Sequence, residues 1–226
     1  MYKFIFLLIF FLYGCSSFNT EPKFKISVFE EPAPKILLMP VDIEICELTV
    51  AGLCEPNALW TENSKKNVII GFNKIIELRN GSVVNFDNSS KKEVINQLIK
   101  LHTHVGYEII NNEYGQLKMP TKEKFDWSIG KKVSILKKEY KSDYALFMFI
   151  RDQYSSTERI IYNVVTALLF PGVIPLGGTQ TAFASLVDLK NGDIIWFNGY
   201  YRSFGDIRDV DSAIQTLDKL FEQFPG

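Results

Sequence analysis

The sequence predicts a mixed α/β domain in which one β-sheet packs against helices. Three observations predict it. Apolar residues recur at helical spacing in several segments, short apolar or alternating runs typical of strands lie between them, and an Asn-Gly pair joins two such runs near the C-terminus. The chain has 226 residues, 46% of them hydrophobic and 23% charged, with a formal net charge of −1. This composition excludes a disordered chain, suits a single core, and predicts no nucleic-acid partner.

The first segment has the organisation of a secretory signal. Lys3 precedes an uninterrupted apolar run from Phe4 to Leu12, and Gly14 stands directly before Cys15. The run is shorter than the roughly 20 residues that a membrane-spanning helix needs. Residues 1–14 are therefore predicted to be a signal peptide.

Cys15 is the candidate lipidation site. The residues Leu12-Tyr13-Gly14-Cys15 resemble the lipobox of bacterial lipoproteins. The resemblance implies cleavage before Cys15, a lipid on its sulfur, and attachment to a membrane of the cell envelope, facing the periplasm. By the sorting rule of enterobacteria, Ser16 after the cysteine implies the outer membrane. The alternative is an ordinary secretory signal in which Cys15 is incidental.

The segment after the signal is predicted to be a tether. Residues 15–34 are rich in serine and proline, which suits an extended linker between the lipid and one folded domain at residues 35–226. An oxidising compartment allows a disulfide between Cys46 and Cys54, and the alternative is two small buried hydrophobic side chains.

Strands and helices alternate through the first half of the domain. Lys35 to Val41 and Asp42 to Val50 are predicted strands, and Thr61 is predicted to cap a helix that runs to Arg79. A second helix follows the capping box Ser90-Lys91-Lys92-Glu93. Its apolar stripe is Ile95, Leu98, His102, Val105 and Ile109, and that of the first helix is Val68, Phe72, Ile75 and Ile76.

The second half is predicted to be richer in strands. A third helix carries Ile129, Val133, Leu136 and Tyr140, and a strand covers Tyr144 to Ile150. Residues 179–189 and 193–201 are predicted to form a hairpin around Asn191-Gly192. An amphipathic helix that begins near Asp209 ends the domain.

A long uncharged stretch, residues 160–187, lies between Arg159 and Asp188. Pro171 and Pro175 interrupt it, which argues against a single membrane-spanning helix. The plain interpretation is a buried helix from Ile160 to Phe170, a turn at Pro171-Gly172, and a core strand. The sharper interpretation is a surface that inserts into a membrane or joins subunits.

Residues 118–142 form a basic segment, with eight lysines against three acidic residues. Such a segment can attract anionic partners such as lipid headgroups or wall polymers. The candidate contacts are Lys131, Lys132, Lys137 and Lys138. A solvated helix face is the simpler interpretation and is favoured.

The sequence contains no catalytic signature. His102 and His104 point to nearly opposite faces of a helix, so they are not predicted to share a metal, and His102 is interpreted as a hydrogen-bonded core imidazole. No Gly-x-Ser-x-Gly motif or phosphate-binding loop occurs. We expect no cofactor and no metal.

Three motifs resemble a group of envelope proteins. They are Lys35-Ile-Leu-Leu-Met-Pro40, Asp143-Tyr-Ala-Leu146 after a lysine-rich helix, and the segment from Ser185 through Gly192 to Trp196 before a closing helix. They resemble the small α/β domain of the lipoproteins CsgG and LpoB, and the N-terminal domain of TolB is similar. The resemblance implies a non-enzymatic binding or assembly module with envelope proteins or peptidoglycan as partners. The alternatives are a membrane-associated hydrolase and an oligomeric pore of the CsgG type. The sequence leaves open whether the chain forms a homo-oligomer.

Overall fold

The computed structural model describes residues 18–19, 21–25, 35–78, 82–87, 92–116, 118–170, 177–203 and 205–225. These residues contain nine strands and five α-helices, which confirms the predicted α/β class. The strands are β1 (Phe18–Asn19), β2 (Lys23–Phe24), β3 (Lys35–Leu38), β4 (Asp42–Leu48), β5 (Cys54–Pro56), β6 (Ser82–Asn85), β7 (Tyr144–Ser155), β8 (Gln180–Asp188) and β9 (Ile194–Arg202). The helices are α1 (Ala58–Leu78), α2 (Lys92–Ile109), α3 (Ser134–Tyr140), α4 (Thr157–Leu169) and α5 (Val210–Leu220).

All nine strands belong to one mixed sheet built around β7. The order is β1-β9-β8-β7-β3-β6, in which β7 pairs parallel with β3 and antiparallel with β8. The second half of β7 pairs parallel with β4, so β3 and β4 act as two pieces of one interrupted strand. Because α3 precedes β7 and α4 follows it, we call the two ends of the sheet the α3 end and the α4 end.

Helices cover both faces of the sheet. On one face, α1 and α5 pack over the strands, and Gly71 of α1 allows their close approach, since a Cβ there would lie 2.9 Å from Leu217 Cδ1. On the other face lie α2 and α3, and Gly106 brings α2 directly against the ring of Phe183. The predicted stripes of the first two helices face these cores, with Val105 only half-buried. Neither core contains a residue of α4.

Two predicted helix starts are wrong. Helix α1 begins at Ala58, because Asn57 Oδ1 accepts from the backbone N–H of Trp60 at 3.0 Å. The hydroxyl oxygen of Thr61 instead accepts from the N–H of Ile45, which ties the helix to β4. The third helix begins with a 3₁₀ turn at Lys131, so Ile129 precedes it.

The predicted hairpin and closing helix are confirmed. Strands β8 and β9 pair antiparallel, and Gly192 in their turn has a φ of +87°, a conformation that favours glycine. Asp209 caps α5 by accepting from the N–H of Ser212 at 2.9 Å.

Part of the segment predicted as a tether pairs with the sheet. Strands β1 and β2 lie antiparallel to β9, with Phe18 opposite Tyr201 and Phe24 opposite Trp196. Tyr201 lies near the α4 end, because β8 pairs Gln180 with both Arg202 and Asp152. The chain therefore enters the sheet at the α4 end. The predicted signal peptide and Cys15 lie outside the described residues.

Candidate functional site

The most unusual surface of the molecule is helix α4. It forms directly after the central strand, where Ser156 adopts an extended conformation and its side chain accepts from the N–H of Arg159 at 3.1 Å. The negative charge of Glu158 in the first turn interacts favourably with the positive end of the helix dipole. The cap at Ser156 and the acidic first turn therefore define the start of α4, as they do for helices in globular proteins.

The apolar side chains of α4 point away from the protein. The large exposed ones are Ile160, Ile161, Tyr162, Val164, Val165, Leu168 and Leu169, with Phe170 just beyond the helix end. Leu168 is 75% exposed and Leu169 is 67% exposed. The predicted buried helix from Ile160 to Phe170 is thus wrong, because no residue of α4 is buried. The core strand predicted after it is present as β8.

Arg159 ties α4 to the body of the protein, on the side of the helix that is half-buried. The only half-buried residues of the helix are Arg159, Asn163 and Thr166, which repeat at helical spacing on one side. The guanidinium of Arg159 donates to the carbonyl oxygens of Thr49 and Val50, at 3.0 and 3.4 Å. The amphipathic pattern of α4 is therefore inverted relative to a helix that packs on a core.

The turn whose carbonyl groups accept the hydrogen bonds of Arg159 adds to the exposed apolar surface. Residues 49–53 form a tight turn after β4, in which the N–H of Thr49 donates to the carbonyl oxygen of Leu53 at 2.9 Å. A disulfide between Cys46 and Cys54 closes the base of this turn, with the two Cα atoms 5.4 Å apart. Val50 and Leu53 are both exposed at its tip. We call α4, Phe170 and this turn the apolar end surface.

The two histidines lie in different environments. His102 is buried in α2, its Nε2 lies 2.9 Å from the hydroxyl of Ser185, and its ring stacks on Phe147, which confirms the core imidazole interpretation. Burial lowers the pKa of His102 to about 3, so the ring is neutral. His104 is exposed. Among the described residues, no group of three or more His, Cys, Asp or Glu side chains could hold a metal ion.

One buried carboxylate lies at the α4 end of the sheet. Asp152 of β7 accepts hydrogen bonds from the hydroxyl of Tyr154 and the amide of Gln180. Gln180 in turn accepts from Tyr200 and Arg202, so the network joins three strands. Burial raises the pKa of Asp152 to about 6. The adjoining cleft of about 160 Å³ is small, and its polar groups are occupied in holding the strands together.

A larger cleft of about 520 Å³ lies where β3 and β6 end. Its lining combines the apolar segment Leu38–Val41 with Lys65 and Lys66 of α1. Lys65 is paired with Glu62 at 2.7 Å, and its hydrogen bond to this carboxylate lowers the pKa of Glu62. Glu62, the carboxylate of this lining, is therefore held ionised by its ion pair with Lys65.

The four candidate lysines lie at the opposite end of the sheet from α4. Lys131 and Lys132 are in the 3₁₀ turn before α3, and Lys137 and Lys138 are in α3 itself. Lys132 donates to Gln97, and Lys137 pairs with Asp143 at 3.0 Å. These contacts are those of a solvated helix face, and Lys131 and Lys138 are exposed beside them.

Of the two interpretations of this apolar segment, the buried helix is wrong, and the surface that inserts into a membrane or joins subunits stays a prediction. The signal that could have excluded the buried helix is the spacing of Arg159, Asn163 and Thr166, which places the few polar residues on one narrow side. No helix among the described residues has the length and apolarity to cross a membrane.

No protein-family model matches the chain, and no curated protein matches its sequence significantly. Among solved structures, it is similar to a PelC dodecamer from Paraburkholderia phytofirmans. The identity is 9%, the match covers 92% of this chain and 97% of that chain, and the TM-score is 0.39. A variant PelC dodecamer from the same organism has 8% identity, covers 91% of this chain and 98% of that one, and has a TM-score of 0.36. Similarity at this level carries no functional argument, and the resemblance to CsgG, LpoB and TolB stays a prediction.

Proposed function

We propose that the chain is a lipid-anchored protein of the bacterial cell envelope that acts as a non-enzymatic binding or assembly module. The lipid is attached at Cys15, and the folded domain faces the periplasm, at the outer membrane. The observation that carries the proposal is the apolar end surface, on which α4 turns its large side chains outward. Uncovered apolar surfaces of this kind mark interaction sites with proteins or membranes.

The buried polar groups support a structural rather than a catalytic role for the interior. His102 is neutral and bonded to Ser185, and Asp152 is bonded to two neighbours that join the strands. A catalytic pair would instead converge on an open cleft with a free approach for substrate. The apolar end surface is therefore a better candidate for the functional site than the two clefts described above.

Mass spectrometry of the native N-terminal peptide tests the anchor. We expect Cys15 to be the first residue and to carry acyl chains, and we expect the protein in the outer-membrane fraction. An unmodified cysteine in that peptide would refute the lipid anchor.

Complementation of a deletion strain separates docking from catalysis. A variant with Ile161→Gln, Val165→Gln and Leu168→Gln should fail to correct the envelope defect of the deletion strain, whereas Asp152→Asn should correct it. The matched control is Leu59→Gln with Ile70→Gln, which changes equally exposed apolar residues on α1. Loss of function in Asp152→Asn at normal protein level, with the α4 variant active, would favour a hydrolase instead.

A further inference from the structure

We propose that the apolar end surface inserts into the interfacial region of a lipid bilayer, as a second membrane contact beside the predicted lipid. This inference deepens the proposed function, because it names the bilayer as what the docking surface binds. Four properties of the surface support it: the width of its apolar arc, its lack of charge, its length, and its position beside the chain entry.

The apolar arc of α4 is too wide for one protein neighbour. At 100° per residue, the exposed positions from Ile160 to Leu169 span about 220° of the helix circumference. A neighbouring helix covers a stripe of roughly 100°, so a second copy of the chain would leave half of this arc in water. Acyl chains surround a helix from every open side and can cover the whole arc.

The exposed arc from Ile160 to Phe170 carries no charged side chain. No Asp, Glu, Lys, Arg or His lies between Ile160 and Phe170, and the amide of Asn163 and the hydroxyl of Thr166 are on the half-buried side of the helix. Insertion of this stretch therefore desolvates no formal charge, and the exposed Glu158 lies before it, in the first turn of α4. Tyr162 on the arc suits the boundary between headgroups and acyl chains, where aromatic rings with a polar tip are enriched.

The length of α4 limits how it can bind. Its 13 residues make a helix about 20 Å long, which is shorter than the roughly 30 Å hydrocarbon core. The helix therefore lies within one leaflet rather than crossing the bilayer. Val50 and Leu53 enter the same leaflet, because Arg159 holds their turn against the first turn of α4.

The N-terminal segment reaches the same end of the molecule. Phe18 pairs with Tyr201 at the α4 end of β9, and Cys15 stands three residues before it. Three residues span at most about 11 Å, so acyl chains on Cys15 would enter the bilayer close to the apolar end surface. Lipid and helix would then hold the sheet in one fixed orientation on the membrane.

Spin-label depth measurements on the acylated full chain test this proposal. Leu168→Cys and Ile161→Cys place a nitroxide on the exposed arc, and Leu59→Cys places one on the exposed side of α1 as a matched control. In vesicles of phosphatidylethanolamine and phosphatidylglycerol, we expect the α4 labels about 5–10 Å below the headgroup level, accessible to oxygen and shielded from a water-soluble nickel complex. The control label should stay in water.

Two results would overturn the insertion. One is an α4 label as accessible to nickel as the control, which places the helix in water. The other is a label shielded from both reagents with dipolar broadening between molecules, which means that a second copy covers the helix. A lipid missing from Cys15 would instead overturn the anchor, while the depth of the labels in chain bound to vesicles would still report on α4.

Discussion

Replacing His102 with glutamine should remove an acid-induced loss of stability. The ring is buried against Phe147 and bonded to Ser185, and burial lowers the pKa of His102 from 6.5 to about 3. Between these pH values, the unfolded chain binds a proton that the native state excludes. The contribution of His102 to stability is therefore complete above about pH 6.5 and is lost as the pH falls. Glutamine places an amide near the position of Nε2 and does not titrate.

The expected size follows from the shift in pKa. Each pH unit inside this window costs about 1.4 kcal/mol, so lowering the pH from 7 to 5 costs about 2 kcal/mol. Asp152 acts in the opposite direction, because its pKa is raised from 3.8 to about 6 and its protonation stabilises the native state. That gain is about 1.3 kcal/mol over the same interval. The two effects largely offset each other in the wild-type chain.

Urea denaturation of the full chain at pH 5 and pH 7 measures the effect. The free energy of unfolding of His102→Gln, relative to that of the wild type, should rise by about 2 kcal/mol on going from pH 7 to pH 5. Ser185→Ala is the control, because it removes the hydrogen-bond partner and leaves a titrating histidine, so it should retain the acid-induced loss. A difference between His102→Gln and wild type that is the same at both pH values would refute the burial argument.

Three further changes have expected outcomes by the same denaturation assay. Asp152→Asn should remove a contribution to stability that is complete below about pH 4 and is lost as the pH rises through about 6, since burial raises the pKa of the Asp152 carboxyl from 3.8 to about 6. The stability of the variant relative to the wild type should therefore rise over that range. Gly106→Ala should cost about 1–3 kcal/mol, because the new Cβ would meet the ring of Phe183, whereas Gly177→Ala, with open space around it, should be near neutral. Cys46→Ala should cost about 2–3 kcal/mol by opening the disulfide, and a reductant should then have no further effect.

The sequence predicts best where local chemistry and tertiary packing agree. The turn at Asn191-Gly192 needs a positive φ that glycine supplies, and Asp209 precedes a stripe that the sheet buries. The cap of α1 was missed because Asn57 and Thr61 are both good capping residues. Only the bond from Ile45 to the Thr61 hydroxyl, which the fold creates, distinguishes them.

The interpretation of α4 as a buried helix is wrong for a different reason. Apolar content predicts that a segment avoids water, but it does not say whether protein or lipid replaces the water. For α4, the answer depends on which side faces the body, and that depends on the bond between Arg159 and the turn at Thr49, 110 residues earlier in the chain. A contact between residues so far apart in sequence has no local signature, so the union of α4 with Val50 and Leu53 could not be read from the sequence.

The positions of α3 and α4 also change what the lysines can do. The two helices flank the 12-residue strand β7, which is about 40 Å long. If α4 lies in a leaflet and β7 stands upright on it, Lys131 and Lys138 are held several Debye lengths from that membrane at physiological salt, where its surface charge is screened. The lysines are then directed toward the periplasm rather than toward the lipid headgroups.

Replacing Lys131, Lys132, Lys137 and Lys138 with glutamine should therefore separate two kinds of binding. The depth of an α4 label in anionic vesicles should not change, because no lysine of this set touches the leaflet. Co-sedimentation with isolated sacculi at low salt should weaken if the lysines contact an anionic wall polymer, and the weakening should disappear at high salt as the charges are screened. Sacculus binding that is unchanged at low salt would leave these lysines as a solvated helix face, whereas a shallower α4 label would contradict the orientation itself.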